Sequence, residues 1–128
     1  MNQPTPHVYV PASMSKNASG HLTVAQASTA CTPEYRLAEY TAAQQRLGNA
    51  LNCRYQQYLD DGQPEITWPI IPPPTDTSTD HLICYLRNLI DLVLAWLDCL
   101  EAGGNVQQCI DNKHSDFLTA IANCPASS

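Results

Sequence analysis

A chain of 128 residues is long enough for one domain with a modest core, and its 44% hydrophobic content is ordinary for one. Only 14% of its residues are charged, and the net charge is −6 with two lysines. That balance argues against wrapping nucleic acid or resting on an anionic membrane, and leaves basic protein partners open.

Residues 1–30 read as an extended arm. Pro4, Pro6 and Pro11 break helix, and Ser13 to Gly20 is a polar, turn-forming run. Two β-favouring patches, Val8-Tyr9-Val10 and Leu22-Thr23-Val24, are too short to make a sheet alone. Val8, Tyr9, Val10, Leu22 and Val24 are therefore candidate contacts for another subunit, whose sheet edge the arm would extend. Met1-Asn2-Gln3-Pro4 opens no signal peptide, since no apolar stretch precedes Cys31. Asn17-Ala18-Ser19 matches a glycosylation sequon, which has no use without secretion.

The remaining domain is expected over 31–124, with a tail at 125–128. A first helix starts at Thr32-Pro33-Glu34: Thr32 caps, Pro33 suits the first helical position, and Glu34 favours the positive end of the dipole. Leu37, Tyr40, Gln44, Leu47, Leu51, Tyr55 and Tyr58 recur at threes and fours, which predicts one apolar face. Gly48 is a weak point, about 1 kcal/mol worse than Ala, that leaves a continuous and a kinked helix both open, and Gly62 with Pro64 ends it. Cys53, two residues past Leu51, falls opposite the stripe.

Residues 63–77 form a proline-rich connection containing Trp68-Pro69-Ile70-Ile71-Pro72-Pro73-Pro74. Its prolines forbid helix or central strand and favour an extended crossing. Trp68, Ile70 and Ile71 are its apolar anchors and candidate interaction residues, on a surface of this chain or of a partner.

A second helix, from about Ser78 to Ala102, carries Leu82, Leu86, Leu89, Val93, Trp96 and Leu100 in steps of four and three, like a coiled-coil seam. Arg87, Asp91 and Asp98 would be costly in lipid, which favours a central bundle helix over a membrane span. Gly103-Gly104 stops it and Asn105 can cap a third helix with Val106, Ile110, His114, Phe117 and Ile121 on one face. Cys84, Cys99, Cys109 and Cys124 are spaced symmetrically about the glycine pair. In an antiparallel hairpin the outer two then fall level, and so do the inner two, which predicts disulfides Cys84–Cys124 and Cys99–Cys109. Cys31 and Cys53 lie about 30 Å apart along a continuous first helix, at about 1.5 Å per residue. They are candidates for an intermolecular disulfide or a link to a folded-back arm. The expected fold is all-α: a disulfide-stapled antiparallel three-helix bundle with an extended N-terminal arm.

Cys84, Cys99, Cys109 and Cys124 resemble the twin Cys-x(n)-Cys helical-hairpin (CHCH) proteins of the mitochondrial intermembrane space, with a longer spacing within each helix. The resemblance covers 84–124. It implies outer-with-outer and inner-with-inner pairing, no cleaved presequence, and a place as a small subunit of an inner-membrane complex.

Enzyme chemistry finds little to stand on. His81 with Cys84, and Cys109 with His114, have some ligand spacing, but Cys-x2-Cys is absent, so neither metal nor cofactor is expected. No phosphate loop, nucleophile elbow or activated cysteine pair is present, which leaves a thiol-based redox protein as a distant third reading. The leading expectation is a non-enzymatic structural subunit whose partners are other protein subunits, copies of itself included. A virion is the first setting, because its disulfides form outside a reducing cytosol, and the mitochondrial intermembrane space is the second.

Overall fold

Each helix begins on a capping side chain, and two of these, Thr32 and Asn105, are the caps that the sequence offers. In a computed structural model, which describes residues 31–126, α1 spans Pro33–Asp60, α2 Thr79–Ala102 and α3 Val106–Ala122. Thr32 Oγ1 accepts from the Tyr35 N–H at 3.1 Å, Ser78 Oγ from His81 at 3.3 Å and Asn105 Oδ1 from Gln108 at 3.1 Å. Each bond satisfies one of the orphan donors of a first helical turn. Gly103 and Gly104 turn the chain between α2 and α3 with φ of 76° and 72°, where a Cβ would be strained. No strand occurs among the described residues.

The all-α, disulfide-stapled bundle is thus in place, with one refinement of its polarity. α2 and α3 are antiparallel, as their two disulfides require. Arg54, near the end of α1, pairs with Glu101 at the end of α2, so these two helices run the same way. Residues 61–78 form an extended strap that makes the opposite pass between them. Ile66 of the strap meets Tyr55 and Thr67 meets Gln107, close to the glycine turn, whereas Pro72 meets Tyr85 nearer the start of α2. α2 is central: it packs against both other helices, which have little contact with each other.

The strap fills the space that α1 and α3 leave over α2. Trp68 is buried edge-on between Tyr55 of α1, at 5.1 Å between ring centroids, and Trp96 of α2, at 5.0 Å. Trp96 in turn donates its Nε1–H to the Ile110 carbonyl of α3 at 3.1 Å. Ile66 and Ile71 complete the strap's contribution to the same core. Burial of large aromatic surface is the main stabilising term in a bundle this small.

On α1 the buried line differs from the expected stripe. Leu51, Tyr55, Tyr58 and Gln44 are buried as expected, but Leu37, Tyr40 and Leu47 are only half-buried. Ala38, Thr41 and Gly48 are buried instead. Positions 41, 44, 48, 51, 55 and 58 keep the three-four alternation of a coiled-coil seam, whose 3.5-residue period drifts around the helix relative to 3.6. α1 also runs through Gly48 as one helix, the continuous form of the two that the sequence leaves open.

Candidate functional site

The strap is held at four points by side chains from all three helices. Ile66 donates its N–H to Tyr55 Oη at 3.0 Å. Gln107 clasps Thr67 from both sides, its Oε1 accepting the Thr67 N–H at 2.8 Å and its Nε2 donating to the Thr67 carbonyl at 2.9 Å. His114 Nε2 donates to the Ile70 carbonyl at 2.8 Å, and Tyr85 Oη donates to the Pro72 carbonyl at 2.7 Å. Backbone groups that cannot join a helix or sheet are thereby satisfied, and the proline-rich run is fixed in one path.

That path sorts the three expected interaction anchors. Trp68 and Ile71 are buried in the chain's own core and are not available to a partner. Ile70 points the other way, 84% exposed. Further along the strap lies a groove of about 310 Å³ lined by strap, α2 and α3, with Pro73, Pro74, Leu118 and Ile121 among its walls. Leu118 is itself 39% exposed. Gln107 and Tyr85, which fix the strap, carry no local sequence signal, because each acts on a strap residue distant in the chain. Val8, Tyr9, Val10, Leu22 and Val24 of the arm lie outside the described residues.

The cysteines divide into a stapled four and a separate two. Cys84–Cys124 and Cys99–Cys109 are closed, each with Cα atoms 5.7 Å apart, inside the usual range for a disulfide. Cys31 and Cys53 are both exposed and unpaired. The unbroken α1 keeps them about 30 Å apart, so they cannot join each other within one chain.

Both histidines proposed as marginal ligands have structural partners. His81 Nδ1 lies 2.8 Å from the Pro125 carbonyl, and His114 holds Ile70 as described. A carbonyl only accepts, so the proton sits on the ring nitrogen facing it in each case. Among the described residues no three His, Cys, Asp or Glu gather into a possible metal site. None of their helices is long and apolar enough to cross a membrane. The hydrogen bond from Arg54, and then its charge, hold the Glu101 carboxyl below its ordinary range and stabilise the exposed pair that ties α1 to α2. The arrangement presents an apolar knob and a groove on a rigid frame. Compared with known proteins, the chain matches no family model, no curated protein and no solved structure.

Proposed function

We propose that the chain is a non-enzymatic structural or accessory subunit of a large assembly, a virus or phage particle component of the decoration, cement or minor structural kind. The observation that carries this reading is Ile70. A large aliphatic side chain is held 84% exposed on a strap that four hydrogen-bonding side chains lock in place. Pre-ordered apolar anchors of this sort bind partners without a further entropic cost of ordering. The low charge of the sequence and the two closed disulfides fit a protein that works among other subunits, outside a reducing compartment. Ile70→Asp tests it. The isolated variant is expected to unfold at the same urea concentration as the parent, and to be lost from particles or complexes that retain the parent chain. Equal incorporation of the two would overturn the reading.

The second reading, a CHCH-like hairpin subunit of a mitochondrial inner-membrane complex, is supported by the outer and inner pairing of Cys84–Cys124 and Cys99–Cys109. Co-fractionation of the native chain with the intermembrane space, rather than with particles, would favour it.

A further inference from the structure

We propose that Cys84–Cys124 is a thiol-exchange site, a disulfide that a small monothiol such as glutathione opens while Cys99–Cys109 stays closed. The two bridges look alike in sequence but differ in how their sulfurs are held. Cys99 lies inside α2 and is 1% exposed, and Cys109 lies inside α3, so both thiols would stay in place and re-pair if reduced. Cys124 lies beyond Ala122, the last residue of α3, in a turn whose backbone bond runs from its own N–H to the Ile121 carbonyl. Once its sulfur is free this end can fray, and the effective concentration that closes the bridge falls.

Access and charge point the same way. Cys124 lines the groove of about 310 Å³ beside Pro73, Pro74 and Leu118, and Cys84 does not. A thiolate approaching along the groove therefore reaches Cys124 before Cys84. Its sulfur bonds to Cys124 Sγ, the Cys84–Cys124 bond breaks, and the electron pair leaves on Cys84 Sγ. Asn88 is placed to receive that charge: its Nδ2 lies 3.6 Å from Cys84 Sγ and 3.8 Å from Cys124 Sγ, and donates to the Cys84 carbonyl at 2.9 Å. An amide N–H beside a thiolate favours the charged form and makes Cys84 the better leaving group. A second monothiolate then attacks the mixed disulfide, releasing its oxidised dimer and the Cys124 thiolate. Two small thiols are oxidised and one protein disulfide is reduced. The His81–Pro125 hydrogen bond also ties this end to α2, and the C-terminal turn is released when that bond and the Asn88 contact to Cys124 yield.

The test uses the full chain in glutathione buffers of graded ratio, with acid quenching, alkylation and mass spectrometry of each cysteine. Cys84 and Cys124 are expected to be half-reduced at a reductant strength about tenfold below that needed for Cys99 and Cys109, with helical content retained. Asn88→Ala should move the first midpoint several-fold toward stronger reductant and leave the second where it was. Simultaneous opening of both bridges, or earlier opening of Cys99–Cys109, overturns the proposal. An unmoved midpoint in Asn88→Ala removes the amide from it.

Discussion

The indole of Trp68 meets that of Trp96 edge-on, with ring centroids 5.0 Å apart, and this contact fastens the strap to the central helix. Trp68→Ala is expected to cost about 3–5 kcal/mol, the usual range for emptying a buried aromatic site. A double-mutant cycle with Trp96→Ala, followed by urea unfolding, should return a coupling of about 0.5–1.5 kcal/mol between the rings. Strict additivity would mean that the edge-on contact of the two indoles adds nothing beyond the burial of each ring.

Gln44 sets a second expectation. It is 1% exposed in the α1 seam, and its Nε2 finds no hydrogen-bond partner among the described residues. An unsatisfied buried donor costs about 1–3 kcal/mol. Gln44→Met, close in length and without the amide, should raise the urea midpoint by an amount worth about 1 kcal/mol. A drop of that size would show that the amide is satisfied in solution.

Tyr58 makes the stability of the bundle sensitive to alkali. Its burial, and then the neighbouring Tyr55, push its phenol above the usual tyrosine range. The folded state thus keeps the proton longer than the unfolded chain does. This contribution is fully present below about pH 10, the unfolded value, and is lost as pH rises through the folded one. Unfolding midpoints measured from neutral pH upward should fall more gently in Tyr58→Phe than in the parent chain. Parallel curves would assign the alkaline loss to other groups.

Cys53 is exposed on α1, opposite the buried seam, and forms no disulfide. Cys53→Ser should change monomer stability by less than about 0.5 kcal/mol, as surface substitutions usually do. With oxidised glutathione as oxidant, the parent chain should form a ladder of covalent oligomers on non-reducing gels, and the variant should stop at dimers through Cys31. A stability loss of several kcal/mol would place Cys53 in the core.

How much of this was readable from sequence depends on how far apart the interacting residues lie. The cysteine pairs were legible because a symmetric hairpin converts position number directly into height. The caps Thr32 and Asn105 act within three residues and were equally plain, whereas Ser78 was read only as the start of its helix. The face of α1 was only half legible. Leu37, Tyr40 and Leu47 outweigh Ala38, Thr41 and Gly48 in hydrophobicity, yet the seam buries the smaller set. The course of the strap was not legible, because Tyr85–Pro72, Gln107–Thr67 and Arg54–Glu101 join residues that share no local pattern. Of the proposed interaction anchors, Trp68 and Ile71 read as sticky and turned out to be core, which left Ile70 as the outward one.

Both covalent cross-links fall inside residues 84–124, so α1 and the strap are held against the stapled hairpin by packing, hydrogen bonds and the Arg54–Glu101 pair, with no disulfide of their own. Thermal fluctuation should respect that division. α1 and the strap form the unit that lifts away first, taking Trp68 off Trp96, while α2 and α3 remain paired in a smaller, still cooperative remnant. In hydrogen exchange the amides of α1 should then report a lower opening energy than those around Cys99 and Ile110. The same division offers a route to exchange between copies: an α1 that has lifted off one hairpin can settle on the equivalent face of another, with the strap as its hinge.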